Sequence, residues 1–365
     1  MQRRPDYVLI TLTASLLVMG LIILSSASVA ISHNQYGSTS RLILNQLFPG
    51  VVVGCLGFFF SWRIVPYTFW RKVSLPLLLG TLILLGAVFT DQFGFSAGGA
   101  RRWIHFKFIF FQPSELAKLA IIVYLAAFFA KFKDNLENFW QTVFPFMLVS
   151  AAILGFIALE PDIGTLGVLT MIIGALFFVA GGAWKYISYF IGGGIALFFI
   201  LIKTTPYRFD RFLVFLHPEL DPKGIGYQIQ QALLAIGSGG LWGLGLGESR
   251  QKYSFLPESV GDSIFAIAAE ELGFIGATVL VLLFMFFVLR AFRIAYRAPD
   301  LFGRYLAVGI ASWIAFQAFI NMSAITGLIP LTGITLPFVS YGGSSLALVL
   351  TSCGILVNIS KYAKS

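Results

Sequence analysis

The charged side chains that could do chemistry stand in a few short stretches of a very apolar chain. Arg101 and Arg102 are adjacent, and guanidinium groups suit phosphate because they donate two parallel hydrogen bonds. Glu115 and Lys118 are three residues apart behind Pro113, so we expect them on one face at the start of a helix. The residues alone fit an anion site or, equally, interfacial basic side chains with a surface salt bridge.

Two further stretches place carboxylates beside apolar runs. Asp162 lies in the Glu-Pro-Asp turn 160–162, where it could serve a site or cap the next helix. Glu258 and Asp262 end a long polar segment directly before an apolar run. A carboxylate at the mouth of a membrane cavity suits a general base, although Asp262 followed by Ser263 also fits a helix N-cap.

The other reactive residue types exclude several kinds of site. The three histidines are scattered and none stands in a nucleophile motif, which argues against a Ser/His/Asp triad. Cys55 and Cys353 lie in apolar runs, so they form neither a disulfide framework nor a zinc site. The glycines at 243, 245 and 247 are not followed by Gly-Lys-Ser/Thr, which argues against a nucleotide loop. We interpret them as tight turns that permit close backbone approach.

Membrane helices must position these residues. Of the 365 residues, 58% are hydrophobic and 11% are charged, less than half the roughly 25% of a soluble domain. The apolar residues come in long runs, which excludes the alternating pattern of a β-barrel. At ~20 residues per spanning helix, we predict an all-α polytopic membrane protein with about ten transmembrane helices.

The placement of charges predicts the orientation of these helices. Fourteen of the 25 lysine and arginine residues fall on the side that holds both termini, mostly in short loops, which predicts cytoplasmic termini. Twelve of the sixteen acidic residues fall on or just inside the other side, where we expect the functional polar residues. No basic tract predicts nucleic-acid binding. A long extracytoplasmic loop, 204–263, separates helices 7 and 8, and the predicted spans are 8–31, 42–61, 73–90, 116–130, 141–158, 164–182, 184–203, 264–289, 303–324 and 337–359.

The order of the motifs resembles the SEDS family, which includes FtsW, RodA and SpoVE. The resemblance covers nearly the whole chain and suggests one SEDS-type domain over residues 1–365. The run from Gly245 to Lys252 is more similar to the FtsW and SpoVE branch than to RodA. The matching blocks are Gly-Ala-Arg-Arg-Trp at 99–103, Gln-Pro-Ser-Glu-Leu-Ala-Lys at 112–118, Glu-Pro-Asp at 160–162, Gly-Tyr-Gln at 226–228, Leu-Pro-Glu at 256–258, and two longer blocks at 321–333 and 336–345.

The resemblance implies a peptidoglycan glycosyltransferase of the bacterial cytoplasmic membrane, active in cell-wall synthesis and cell division. Such enzymes polymerise lipid II into β-1,4 glycan strands on the outer face of the membrane, with inversion and without a nucleotide. It implies that Asp262 is catalytic, and we assign it as the general base for the acceptor 4-hydroxyl. The family usually has His-Thr where Val260 and Gly261 stand, so no imidazole assists Asp262 from there. The resemblance implies that substrate binding involves Arg102, Glu115, Lys118, Asp162 and Glu258. To these positions we add the neighbouring Arg101.

The same resemblance sets the expected ligands and partners. We expect no required cofactor, and a divalent cation such as Mg²⁺ at the diphosphate stays open. The expected partners are lipid II, membrane lipids, a cognate class B penicillin-binding protein and other division or elongation membrane proteins. Two other classes stay open, a transporter that flips lipid II and a non-catalytic division scaffold. The expected docking face lies on the eighth and ninth spans, where lipid contact explains the aromatic residues equally well: Phe284, Phe286, Phe287, Phe316 and Phe319.

Overall fold

The computed structural model describes residues 4–97, 100–106, 109–190, 192–194, 206–253 and 255–363. Nine helices within these ranges are long and apolar enough to span a membrane, and we label three of the shorter helices between them. The nine are α1 (Tyr7–Ala27), α3 (Arg41–Ile64), α4 (Tyr67–Ala87), α5 (Pro113–Lys131), α6 (Phe139–Leu159), α7 (Ile163–Ala180), α10 (Ile264–Tyr296), α11 (Leu301–Ile325) and α12 (Gly343–Ser360). The three are α2 (Val29–Tyr36), α8 (Pro206–Leu216) and α9 (Ile225–Ser238).

The helical prediction is confirmed for nine of the ten spans. The remaining span, 184–203, lies partly outside the described residues, of which 184–190 and 192–194 are helical. The exposed faces of the spanning helices carry large apolar side chains such as Phe48, Ile83 and Trp140, which suits contact with lipid. The chain is therefore a multi-pass membrane protein.

Three helices form the centre of the bundle. Most residues of α5, α11 and α12 are buried, whereas the outer helices such as α3 and α4 are buried over less than a quarter of their length. The centre is close-packed. On α11, a Cβ at Gly309 would collide with Ile122 of α5, so the two helices approach closely at a glycine.

A small antiparallel sheet adds to the predicted all-helical fold. Its strands are β1 (Gly94–Ala97), β2 (Ala100–Phe106) and β3 (Ile109–Phe111), in the order β1-β2-β3. The run is short and rich in aromatic residues, and too short for a membrane helix, which explains why it pairs as strands. The β1–β2 ladder is irregular at Arg102, because Phe95 pairs with Trp103 while the next residue, Ser96, pairs with Arg101.

The last predicted span, 337–359, begins too early, because residues 337–342 are not helical. They belong to a longer segment, 326–342, that precedes the last helix. It is an irregular chain that folds back along α11, and α12 begins only at Gly343. Its tip is deeply packed: Phe338 and Val339 are buried, and a Cβ on Gly20 in α1 would collide with the Phe338 carbonyl. Irregular backbone is tolerated at this depth because the protein surrounds it. We call 326–342 the re-entrant segment.

Helix α10 is broken near its start. Gly273 has φ 67°, and a Cβ there would collide with the backbone of Gly243. The turn before α10 supplies the hydrogen bonds that the break removes. Leu244 N donates to the Glu270 carbonyl at 3.0 Å, and Phe274 N donates to the Gly240 carbonyl at 2.8 Å. The glycine-rich turn therefore serves close backbone approach, as we interpreted it.

A buried polar network joins this turn to α1 and α10. Lys252 Nζ lies 2.9 Å from Glu271 Oε1 and donates to Ser26 Oγ at 3.1 Å. Glu270 accepts from Ser249 Oγ at 2.5 Å and from Arg250 N at 3.0 Å. Lys252, Glu270 and Glu271 are each at most 2% exposed. Both glutamates therefore face the protein interior.

Candidate active site

Arg102 is held over the end of α6 by the turn 160–162. Its Nε donates to the Glu160 carbonyl at 3.0 Å and its NH2 donates to the Pro161 carbonyl at 2.7 Å. The remaining nitrogen, NH1, lies 4.0 Å from Asp162 Oδ2. Two carbonyls thus fix the guanidinium and leave its NH1 side available to an anion.

Arg101 takes the other direction. Its NH1 lies 2.7 Å from Asp91 Oδ1, and both side chains are exposed. An ion pair of this kind contributes little stability because water screens it. The structure therefore separates the two arginines that the sequence sets side by side.

Glu115 and Lys118 form a buried ion pair in the first turns of α5. Lys118 Nζ lies 2.6 Å from Glu115 Oε1 and donates to Gln317 Oε1 at 2.7 Å, and it lies 5.1 Å from the centre of the Trp313 ring. Lys118 is 2% exposed and Glu115 is 5% exposed. The sequence-based alternative of a surface salt bridge is therefore wrong. Glu115 Oε2 has no hydrogen-bond partner among the described residues.

Asp162 is the N-cap residue of α7, as the capping alternative proposed. Its Oδ1 accepts from Thr165 N and its Oδ2 from Thr165 Oγ1, both at 3.0 Å. The same carboxylate faces the cavity that Arg102 borders. Capping and a place in the site are thus compatible, because one carboxylate accepts several hydrogen bonds.

Glu160 lies beneath Arg102 and is completely buried. Neither of its carboxylate oxygens has a hydrogen-bond partner among the described residues. Burial and, to a smaller extent, the neighbouring Asp162 raise the pKa of Glu160 to about 8, although the nearby Arg102 acts in the opposite direction. A carboxyl group with this pKa is largely protonated at neutral pH, and nothing in its sequence context predicted it.

A polar cavity of about 150 Å³ collects most of the predicted residues. It runs from Arg102 and Asp162 past the Glu115–Lys118 pair to the re-entrant segment. Neither Arg101, Glu258 nor Asp262 lines it. The lining residues are Arg102, Trp103, Gln112, Glu115, Lys118, Asp162, Thr165, Val168, Gln317, Gly333, Ile334 and Thr335.

Asp262 stands directly behind one wall of this cavity. A Cβ on Gly333, which lines the cavity, would lie 4.0 Å from Asp262 Oδ2. Asp262 Oδ1 accepts from Gln228 Nε2 at 3.1 Å and from Ser263 Oγ at 3.3 Å. The N-cap residue of α10 is Ser263, and its side chain makes no capping bond. The absence of a side chain at Gly333 thus keeps the carboxylate close to the cavity.

Glu258 supports the turn that carries Asp262. Its carbonyl accepts from Gly261 N at 2.9 Å and from Ser263 N at 3.2 Å. A Cβ on Gly261 would lie 3.0 Å from Glu258 Oε2, so a larger residue there would press on the carboxylate. The turn is also tied to the re-entrant segment, since Ser340 Oγ donates to the Gly261 carbonyl at 2.7 Å.

Two amides on α11 connect the parts of the site, and sequence reasoning did not select them. Asn321 Nδ2 donates to the Asp262 carbonyl at 2.8 Å and to the Ile334 carbonyl at 2.7 Å. Gln317, one turn earlier, accepts from Lys118 and donates to the Thr335 carbonyl at 3.0 Å. Polar residues four apart within an apolar span were the available signal. The sequence also offered a signal for Gln228, which is the last residue of the Gly-Tyr-Gln block at 226–228.

Comparison with known proteins gives concordant matches over nearly the full length. The chain is 42% identical over 361 residues to Stage V sporulation protein E of Bacillus subtilis, covering 99% of this chain and 98% of that protein. It is 40% identical over 362 residues to a probable peptidoglycan glycosyltransferase FtsW of Trichlorobacter lovleyi, covering 98% and 94%. These similarities agree with the FtsW and SpoVE branch that the run 245–252 indicated.

Solved structures share the fold. One chain of a peptidoglycan synthase complex, from work on the structural coordination of polymerization and crosslinking, aligns with a TM-score of 0.78 at 26% identity, covering 98% of this chain and 97% of that chain. The rod shape determining protein RodA of Thermus thermophilus aligns with a TM-score of 0.71 at 27% identity, covering 99% and 98%. The family described as "Cell cycle protein", which comprises FtsW, RodA and SpoVE, matches residues 7–365. This chain therefore belongs to the FtsW/RodA/SpoVE family, the SEDS family that its motifs resemble.

Proposed function

We propose that this chain is a peptidoglycan glycosyltransferase that polymerises lipid II into β-1,4 glycan strands on the outer face of the bacterial cytoplasmic membrane. One observation carries the proposal: Asp262 stands beside a cavity whose basic residues are Arg102 and Lys118. An acceptor for a proton thus lies beside the cavity that holds two groups suited to a diphosphate. The names of the FtsW relatives support the same reaction.

In the proposed reaction, the acceptor 4-hydroxyl attacks the anomeric carbon of the donor sugar. The new C–O bond forms on the face opposite the diphosphate while the bond to the diphosphate breaks, so an α-linked donor gives a β-linked product. The diphosphate leaves with the bonding electron pair, and the hydroxyl proton passes to Asp262. General-base catalysis of this kind contributes about 10²–10⁴-fold to the rate.

Asp262 is suited to the role of base because its carboxylate is held in one orientation. Gln228 donates to Oδ1, which fixes the plane of the group, and Asn321 holds the backbone carbonyl of the same residue. Gln228 and Asn321 are therefore positioning residues in this scheme. Glu258 belongs with them, since its contacts shape the turn before Asp262.

Arg102 and Lys118 are suited to hold the leaving diphosphate. Arg102 keeps its NH1 side toward the cavity while carbonyls fix its other nitrogens. Glu115 and Gln317 use two of the three donors of the Lys118 ammonium, and one donor is left for the phosphate oxygens. Fixed positive groups stabilise the charge that develops on the leaving group. We assign no contact with the diphosphate to Arg101, which lies outside the cavity.

The proposed reaction requires no cofactor. Among the described residues, no group of three or more His, Cys, Asp or Glu is placed to hold a metal ion. Mg²⁺ commonly binds through one or two carboxylates together with substrate phosphates, and it keeps several waters. Asp162 is the carboxylate beside Arg102 in the cavity, so it would hold a cation that arrived with the diphosphate.

We further propose that both termini are cytoplasmic and that the loop 204–263 is extracytoplasmic, within one domain over residues 1–365. Asp6 N donates to Ser360 Oγ at 3.0 Å, so the first and last helices meet at one end of the bundle. The polar cavity lies at the other end. This arrangement supports an outward-facing site, in agreement with the distribution of basic residues.

We propose a class B penicillin-binding protein as partner, because the chain matches a component of a peptidoglycan synthase complex. We restrict the proposed docking face to the aromatic residues that are exposed. Phe284 and Phe287 are buried and lie against Phe338, so they cannot contact a partner, whereas Phe286 and Phe319 are exposed. Charged substitutions of Phe286 and Phe319 should abolish co-purification of the two proteins, and unchanged co-purification would place the interface elsewhere.

The decisive test is polymerisation by the purified chain in bilayers containing fluorescently labelled lipid II, with glycan length read on a gel. Wild type should give a ladder of strands and Asp262→Asn should give none, because the amide keeps the shape and accepts no proton. Glu219→Gln is the matched control, since Glu219 is an exposed carboxylate in the same loop. Transfer of intact lipid II between leaflets without polymer would favour a transporter. Neither activity, with recruitment of division proteins preserved, would favour a scaffold.

A further inference from the structure

A second polar cavity lies at the end of the bundle opposite the candidate active site. Its volume is about 370 Å³, within the size range of small-ligand sites. It forms where the start of α1, the end of α10 and the end of α12 meet. Its charged lining consists of four arginines and one carboxylate: Arg4, Arg290, Arg293, Arg297 and Asp6.

The helix geometry makes these arginines converge. Arg290 and Arg293 lie on α10 and Arg297 is its C-cap residue, and their spacing of three and four residues places them on one face at the end of the helix. Helix α10 extends seven residues beyond the predicted limit of its span, to Tyr296, and this extension carries Arg293. The arginines are thus presented as a group on one structured surface, and not scattered over separate loops.

The carboxylate neutralises only part of this charge. Asp6 Oδ2 lies 2.8 Å from Arg290 Nε, and its Oδ1 accepts from Leu9 N at 3.0 Å as the cap of α1. Arg4, Arg293 and Arg297 form no ion pair within the described part of the chain. Four guanidinium groups and one carboxylate leave the cavity with a formal charge of +3. Because like charges repel one another, a bound anion would stabilise this group of arginines.

We propose that this cavity binds the phosphate of an anionic phospholipid headgroup. Guanidinium forks match phosphate oxygens, and basic pockets between spanning helices on the cytoplasmic side are known sites for such headgroups. The lining continues onto Tyr7 and Val8 in the first turn of α1, which are 61% and 51% exposed. The cavity therefore borders on hydrocarbon as well as water, which favours a lipid over a soluble phosphate.

The test uses the purified full chain in a neutral detergent, with native mass spectrometry to count retained lipids and a titration to give their affinity. Dioleoylphosphatidylglycerol is the probe, and dioleoylphosphatidylcholine is the neutral comparison. Arg293→Gln with Arg297→Gln removes two charges from the cavity. Arg71→Gln with Lys72→Gln removes two charges from the same end of the bundle and leaves the cavity intact.

One retained phosphatidylglycerol is expected for wild type and for the Arg71/Lys72 control. The cavity variant should bind it about thirty-fold more weakly, equal to ~2 kcal/mol at 1.4 kcal/mol per factor of ten, the contribution of two basic side chains near anionic lipid. A variant with both Arg293→Lys and Arg297→Lys keeps the charge and removes the guanidinium forks. An affinity between those of wild type and the Arg293→Gln, Arg297→Gln variant would support recognition of the phosphate by the forks. The thermal unfolding midpoint of each variant in neutral detergent shows whether the variant is folded.

Three results would overturn the proposal. Equal weakening in both charge-removing variants would show a general attraction of the basic face. Displacement of phosphatidylglycerol by millimolar inorganic phosphate would show a site for soluble phosphate. Equal retention of phosphatidylcholine would show that the headgroup charge is not recognised. None of these outcomes bears on polymerisation, because the proposal does not depend on the active site.

Discussion

The buried pair of Glu115 and Lys118 allows structural and catalytic roles to be separated. Lys118→Met keeps the length of the side chain and removes the ammonium that lies 2.6 Å from Glu115 Oε1. No neighbour replaces it, because Glu115 is 5% exposed and its other oxygen has no partner among the described residues. Breaking one side of a buried pair costs ~3–5 kcal/mol. We expect the free energy of unfolding of Lys118→Met to fall by about that amount.

Replacing both partners gives a different expectation. Glu115→Met with Lys118→Met removes the two charges together, and Gln317 Oε1 keeps the Trp313 Nε1 donor at 2.7 Å. Because apolar replacement of a whole buried pair is often neutral, the free energy of unfolding should return to within ~1 kcal/mol of wild type. Polymerisation should stay impaired. The lost hydrogen bond to a charged diphosphate corresponds to ~1.5–3 kcal/mol, or roughly a 10–150-fold loss in kcat/KM.

The two quantities need separate assays. Denaturant unfolding in one fixed detergent, followed by tryptophan fluorescence, gives the stability, and initial rates of polymer formation at several lipid II concentrations give kcat/KM. Lys223→Met, which removes an exposed lysine, is the control and should change neither. Full polymerisation by the stable double variant would refute the role of Lys118 at the diphosphate. A single variant as stable as wild type would refute the buried-charge reasoning.

Three further predictions follow from the site. Arg102→Ala should lower the initial polymerisation rate at least ~10-fold more than Arg101→Ala. Arg102→Lys should also be slow, because an ammonium group lacks the two parallel donors of a guanidinium. A fully active Arg102→Lys variant would indicate that the site needs only a positive charge. Asn321→Leu should lower kcat ~10-fold with little change in KM, since Asp262 loses the bond that holds its carbonyl; an effect on KM alone would contradict this. The pKa of Glu160, raised from 4.5 to about 8, means that the folded state keeps a proton that the unfolded state releases, so stability falls as pH rises between these values. Glu160→Gln should therefore exceed wild type by ~1–4 kcal/mol in free energy of unfolding at pH 8.5 but not at pH 4.5, and an equal difference at both values would count against it.

The sequence predicted the helices well, because long apolar runs are local signals. It placed Arg102, Glu115, Lys118 and Asp162 in the site, and the structure gathers these four around one cavity. It could not show that Arg101 turns away, since that depends on the pairing of the β-strands.

The re-entrant segment was missed for a related reason. Its buried tip at 336–339 is as apolar as a spanning helix, and only packing against α1 and α10 distinguishes the two. Likewise, the contacts of Asn321 join residues that are distant in sequence, so no local pattern contains them. Single polar residues inside an apolar span were the sole indication that such contacts exist.

The buried network of Lys252 with Glu271 has a consequence for how the chain enters the membrane. Helix α10 carries two acidic residues, Glu270 and Glu271, about two turns from its start, and lipid cannot accommodate them in charged form at low cost. Their partners lie in the preceding loop and at Ser26 in α1, which is synthesised more than 200 residues earlier. We therefore expect the first turns of α10 to be unstable in lipid until the loop folds back and α1 is in place. The biogenesis of this region should then proceed in two stages, insertion of the helices first and closure of the polar network afterwards.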